Sequence, residues 1–358
     1  MEKAILKPVI SKSLIKKDDD TSQEKIYKIF NFKTYIRNWF NRYNRNVVVS
    51  AEDGQYAILI RDFTKQFKKF KAVDNANIKV KKGTIHGFIG PNGSGKTTTI
   101  KCLISAMVET KGDLIIHGKR SWTVEAKKQV GYIPEAAKFP KRITTYDYLI
   151  SMGQISGLKY KVAKEKTEVI LKELDLWKFK KRNPNAYSSG MKKKVLLAQS
   201  LLNNPDVLIL DEPAANLDPT ARTELFNDLR KLRQQGKTVF ISSHILSELQ
   251  HLADEVTVLN YSKVVYTGTV NKTDSLYEIS SNHNDKLIKL LIAKDFIVEV
   301  NESHLLVNVK TETQVAEVLT IALKNNIIIT YLKPYTVDLQ TMYERIVMEA
   351  NDNKKGEK

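Results

Sequence analysis

The stretch TIHGFIGPNGSGKT, residues 84–97, decides how this 358-residue sequence is read. Its first half is a near-continuous apolar run, the pattern of a strand buried on both faces. Its second half, Gly90-Pro91-Asn92-Gly93-Ser94-Gly95-Lys96-Thr97, fits the spacing G-x-x-x-x-G-K-[ST]. Beyond it, Ile100, Leu103, Ile104 and Met107 recur at i, i+3, i+4 and i+7, so a helix follows. Strand, turn and helix start together make a phosphate cradle. The glycines let backbone N–H groups curl around phosphate oxygens without a Cβ clash, and the helix N-terminus adds partial positive charge. Lys96 is placed to reach the β- and γ-phosphates and Thr97 to ligate Mg²⁺. Thr98, next along the helix, joins the expected nucleotide-binding set. The bland reading is a glycine-rich turn that binds nothing.

Working outward, DVLILDEP (residues 206–213) and KTVFISSH (residues 237–244) are two further apolar runs ending in polar residues. Such strands suit a parallel sheet covered on both faces. Residues 219–235 carry Leu225, Leu229 and Leu232 on one helical face, with Gly236 as the stop. The alternation predicts an α/β layout. Asp211, at the C-terminal end of its strand, can hold Mg²⁺ directly or through water, or can cap the turn before Pro213. Glu212 can take a proton from an attacking water. Among six histidines, only His244 ends an apolar strand, where an open α/β sheet places its ligand crevice. His86, inside a strand, reads as structural.

Composition bounds the rest. The net charge is +18, with 42% hydrophobic and 27% charged residues. A soluble globular class is expected, with an acidic partner (nucleic acid or an anionic membrane surface) as one account of the charge. Cys102 is the only cysteine, so an internal disulfide is excluded and a reducing compartment expected. No apolar run approaches the length of a bilayer span, and the N-terminus lacks a signal-peptide core, so the expected location is the cytoplasm. Residues 1–55 form a basic, aromatic-rich extension, 271–350 a small α/β unit and 351–358 a tail expected to be disordered. In the C-terminal unit, KLIKLLIAKDF, ETQVAEVLTIALKNN and VDLQTMYERIVMEA read as helices, FIVEV and HLLVNV as paired strands, and IIITYLK as extended.

Residues 57–270 resemble the nucleotide-binding subunits of ATP-binding cassette (ABC) proteins, on several motifs in the family's order. The resemblance implies a P-loop NTPase of the ABC type, a mixed-sheet core over 56–270 with a helical insert at about 120–205. YSSGM, residues 187–191, is similar to the family signature L-S-G-G-Q. In the family that loop meets the γ-phosphate of ATP held by a second subunit. The implied partner is therefore a second ABC ATPase subunit, head to tail, with two ATP molecules between them. Ser188 would give its hydroxyl and Gly190 its N–H, flanked by Ser189 and Met191. Phe67 lies where the family stacks an aromatic on adenine, or is an ordinary strand-edge ring. Asp218 lies in the dimer-interface loop, and is also a good helix cap before Pro219. Glu135, after GYIP, stands where the family usually has a Mg²⁺-ligating Gln. It joins Glu212 and His244 in the implied catalytic set. Ser189 stands where the signature has a glycine. These two departures keep open a regulatory member with poor turnover.

The implied function is ATP hydrolysis coupled to transport through a separate membrane permease gripped by the helical insert, with the chain peripheral to the cytoplasmic face of the membrane. The C-terminal unit resembles the accessory domain of bacterial drug- and antibiotic-export ATPases, which favours export. Residues 25–45 mix Ile29, Phe30, Trp39 and Phe40 with Lys28, Lys33, Arg37 and Arg42. That pattern suits an anionic membrane surface, a helix packed on the ATPase core or, least, single-stranded nucleic acid. The alternative class is a soluble cassette ATPase acting on ribosomes or nucleic acid. A single phosphate loop and a single signature argue against it.

Overall fold

The computed structural model describes residues 54–136, 138–270, 276–301, 304–309 and 311–334. The expectations for the N-terminal extension, including the surface at 25–45, fall almost wholly outside the described residues. So do the helix at 337–350 and the tail. In chain order the elements are β1 (Tyr56–Phe67), β2 (Phe70–Lys81), β3 (Ile85–Ile89), α1 (Lys96–Leu103), β4 (Lys111–Ile116), β5 (Lys119–Arg120), α2 (Val124–Lys128) and β6 (Val130–Ile133). Then come α3 (Thr145–Ile155), α4 (Tyr160–Glu173), α5 (Ser189–Leu201), β7 (Val207–Leu210), α6 (Pro219–Gln234), β8 (Thr238–Ser243), α7 (Leu246–Gln250), β9 (Glu255–Asn260) and β10 (Lys263–Thr269). The last group is β11 (Leu276–Ser281), α8 (Asn284–Ile292), β12 (Val298–Asn301), β13 (His304–Asn308), α9 (Glu312–Lys324) and β14 (Ile329–Pro334).

The three apolar runs read from the sequence become neighbours. A six-stranded sheet runs β10-β9-β3-β8-β7-β6, parallel except for the β9–β10 hairpin. Every residue of β3 and β7 is buried, and successive side chains go to opposite faces. Leu208 and Leu210 enter one core with α3 to α7, whereas Val207 and Ile209 enter a second with α1 and the antiparallel sheet β2-β1-β4-β5. A run with no polar alternation is thus what two cores demand. Each fully buried Leu, Ile or Phe contributes about 1.5–3 kcal/mol.

The range 120–205 contains β6, which pairs with β7 in the parallel sheet. After the short α2, the longer helices begin at Thr145, where Thr144 caps α3 by accepting from the Asp147 N–H. The C-terminal unit holds the expected β12–β13 pair, joined to β11 and β14 in the order β12-β13-β11-β14. The inner strand β11, LYEISS, has no reading in the sequence analysis.

Candidate functional site

The turn between β3 and α1 is shaped by its glycines. Gly93 and Gly95 have φ of 80° and 113°, the left-handed region. A Cβ on Gly95 would lie 2.4 Å from the Ala72 carbonyl oxygen, and one on Gly90 2.2 Å from that of Leu259. Both sites exclude any other residue, and the loop closes tightly over the start of α1. Ser94 is buried and its Oγ has no hydrogen-bond partner among the described residues. Lys96, only 4% exposed, donates from Nζ to the Gly90 carbonyl at 2.8 Å and the Pro91 carbonyl at 3.2 Å, and pairs with Glu212 Oε1 at 3.3 Å.

The carboxylates sit at the C-terminal end of β7, next to the loop. Thr97 Oγ1 donates to Asp211 Oδ1 at 3.1 Å, and Ser242 Oγ donates to the same oxygen at 2.9 Å. The Glu212 N–H donates to Ser242 Oγ at 2.9 Å. Glu212 itself has φ of 43°, a conformation that costs a residue with a Cβ about 1–2 kcal/mol. Its Oε2 lies 2.8 Å from His244 Nδ1. Lys96, Glu212 and His244 therefore form one chain of contacts between the loop and two strand ends. Tyr132 on β6 is pushed up to about 12, first by burial and then by the negative charges of Asp211 and Glu135.

One cleft of about 590 Å³ collects most of the expected residues: Phe67, Asn92, Gly93, Gly95, Lys96, Thr97, Thr98, Glu135, Glu212 and His244. Phe67 and Phe70 face each other across the β1–β2 turn and both line it. Among the described residues, no group of three or more His, Cys, Asp or Glu side chains could hold a metal by itself. The fit for Mg²⁺ is instead a hydroxyl and a carboxylate, Thr97 and Asp211, beside a cradle for phosphates that would complete the shell. The orphaned Ser94 hydroxyl and the open space beside Gly93, where an added Cβ would meet no atom within 4 Å, also fit a bound nucleotide.

The signature residues are elsewhere. Ser188 caps α5 by accepting from the Met191 N–H at 3.3 Å, and Ser189 opens the helix, exposed. Gly190 packs against α6, where an added Cβ would meet the Ala221 Cβ at 2.7 Å. Asp218 caps α6 by accepting from the Ala221 N–H at 2.9 Å, with Pro219 in the first turn. Ser188, Gly190, Met191 and Asp218 line a separate cleft of about 300 Å³ that shares no residue with the first.

Two residues escaped sequence reasoning. Ser242, inside ISSH, ties Asp211 to Glu212. Its only signal is a polar residue in a strand that is buried throughout. Lys193 is 5% exposed and donates to the Pro134 carbonyl at 3.1 Å and the Glu135 carbonyl at 2.5 Å. Burial lowers its ammonium to about 8, against the raising charges of Glu135 and Asp211.

Fold and cleft together define a phosphate-loop ATPase of the ATP-binding cassette class. Residues 73–215 match the ABC transporter family. An ABC transporter ATP-binding protein of Mycoplasma pneumoniae is 39% identical over 242 residues, 66% of this chain and 74% of that one. The lantibiotic transport ATP-binding protein SrtF of Streptococcus pyogenes is 33% identical, over 62% of this chain and 95% of that one. The bacitracin transport ATP-binding protein BcrA of Bacillus licheniformis is 36% identical, over 57% and 67%. A solved ATP-binding subunit of an ABC transporter superposes with a TM-score of 0.55 at 27% identity, over 60% of this chain and 90% of that one. The chain belongs to the ABC transporter ATP-binding proteins and is an ATPase of that family.

Proposed function

We propose that this ATPase is the energy-coupling subunit of an exporter. It works as a head-to-tail dimer bound to a separate membrane permease on the cytoplasmic face of the membrane. The carrying observation is the separation of the two clefts. Ser188, Gly190 and Asp218 line a cleft that shares no residue with the one lined by Lys96, which supports a reading in which a second ATPase subunit, facing the first, brings its phosphate to them. Among the described residues no helix is long and apolar enough to cross a membrane, which supports a pore on another polypeptide. The relatives named for bacitracin and lantibiotic transport support a transported compound of that kind.

In this reading the backbone N–H groups of residues 92–98 and the Lys96 ammonium hold the β- and γ-phosphates. Phe67 offers its ring to the base. Thr97 and Asp211 hold Mg²⁺, with Glu135 lining the same cleft. The ion, when bound, neutralises charge on the phosphate oxygens. Glu212 leaves Lys96 for the attacking water and accepts its proton. His244, hydrogen-bonded to Glu212, fixes the carboxylate's orientation. Ser188 and Gly190 donate to the γ-phosphate held by the facing subunit, which offsets charge developing there.

The test is Glu212→Gln. The variant should lose turnover and accumulate as an ATP-bound dimer that recovers a multi-spanning membrane protein from detergent-solubilised cells. Turnover equal to the parent's would refute the role of Glu212. Recovery of ribosomal proteins with no membrane protein would refute the transporter reading.

A further inference from the structure

The signature helix α5 carries three consecutive lysines, Lys192 to Lys194, and the side chains of the last two have different partners. Lys194 pairs with Glu224 of α6 at 2.9 Å. Lys193 turns inward, and its ammonium lies against the carbonyls of Pro134 and Glu135, in the loop that follows β6. A buried ammonium whose acceptors among the described residues are two carbonyls is a costly way to fill space, since an apolar side chain of similar length packs more cheaply. What the charge supplies is a directional tie. Lys193 lies three residues after Gly190 and four after Ser189, on the same helical face. The loop it grips carries Glu135, which lines the chain's own phosphate cleft. Ser188 and Gly190 line the other cleft. One side chain thus joins the residue facing this chain's nucleotide to the helix end that faces away from it.

We propose that Lys193 is a positioning residue that couples the two nucleotide sites of the dimer. It transmits nucleotide occupancy sensed at Glu135 to the orientation in which Ser188 and Gly190 are offered to the facing subunit. The coupling rests on the head-to-tail dimer proposed above. With the tie intact, a subunit that has bound its own ATP presents an ordered helix end to the partner's ATP. With the tie cut, each site fills on its own and closure becomes less favourable.

The experiment compares Glu212→Gln with the double variant Glu212→Gln/Lys193→Met. Binding of a fluorescent ATP analogue to dilute, monomeric protein should be unchanged within about twofold. ATP-driven dimerisation, followed by light scattering, should require about tenfold more protein, the size of a typical coupling. Lys193→Arg, which keeps the cation, should recover most of it. With Glu212 intact, Lys193→Met should bring the Hill coefficient for ATP turnover towards one. Dimerisation of the double variant like its parent would withdraw the coupling and leave the dimer standing. Failure of the Glu212→Gln parent to dimerise would withdraw both. Should Lys193→Met fold poorly, amide exchange in the natural chain decides. ATP added to monomeric protein should change protection at residues 188–192, and no change there overturns the proposal.

Discussion

Ser242→Ala is the sharpest perturbation of the site, because Ser242 lies outside the phosphate loop and is not itself proposed to meet the nucleotide. The Ser242 side chain is fully buried and makes two hydrogen bonds of 2.9 Å, accepting from the Glu212 N–H and donating to Asp211. A neutral bond contributes about 1 kcal/mol net and one to a carboxylate about 1.5–3 kcal/mol, so their joint loss is about 2.5–4 kcal/mol. Asp211 keeps the Thr97 hydroxyl at 3.1 Å, which favours the lower half of that range. The loss is not spread evenly. Glu212 is held at φ 43°, and its own N–H is the group released, so the backbone relaxes where the carboxylate must stay aligned with Lys96 and His244. A loss of about 1.4–2.8 kcal/mol in transition-state stabilisation corresponds to a tenfold to hundredfold fall in kcat. Phosphate release at saturating ATP and Mg²⁺ measures the fall, and urea unfolding measures the stability change. Ser242→Cys, which keeps a weak donor and acceptor, should recover part of the rate. A kcat within twofold of the natural enzyme, alongside a stability loss of about 2.5 kcal/mol, would show that the clamp supports the fold and not the chemistry. No change in either would refute the hydrogen-bond argument altogether.

Other expectations follow from single contacts. Gly190→Ala must push α5 from α6, since its Cβ would sit 2.7 Å from that of Ala221; overpacking of this kind costs about 1–3 kcal/mol, and an unshifted melting curve would contradict it. Phe67→Ala should weaken ATP binding about tenfold, the scale of one base stacked on an aromatic ring, with kcat at saturation little changed; equal affinity in a titration would remove Phe67 from the base site. Glu255 predicts the acid limb of stability. Its carboxyl is held at about 2 by the His86 imidazole, whose Nδ1 is 3.8 Å away, and more directly by the Lys81 ammonium at 2.5 Å. A lowered carboxyl stabilises the fold above its ordinary 4.5 and loses that contribution as pH falls towards 2. Burial lowers His86 from 6.5, so acid disfavours the folded state there too. Glu255→Gln should flatten the urea midpoint below pH 4.5 relative to the natural chain, and an unchanged slope would refute the assignment.

Local chemistry made much of the protein legible. The phosphate loop is read from spacing because each glycine answers a steric need within a few residues, and Gly93 and Gly95 do adopt left-handed backbone. Asp211, Glu212 and His244 are read because a polar residue ending an unbroken apolar run has one place to go, the mouth of a parallel sheet. Asp218 before Pro219 reads as a cap because capping is decided within one turn. Other features needed the tertiary structure. Strand order sets β3 between β8 and β9, by pairings far apart in sequence that no local pattern encodes. That order sets β6 beside β7 and β11 within the C-terminal sheet. Nor does a run such as TVFISS say which way Ser242 points, since every residue in it is buried. Among three consecutive lysines, sequence gives no reason why Lys193 should turn inward, because its acceptors are backbone carbonyls 58 and 59 residues away. Spacing and periodicity record what a residue requires of its neighbours along the chain. The partner a buried polar group finds is fixed only when distant segments pack, because the cost of leaving it unpaired is met there.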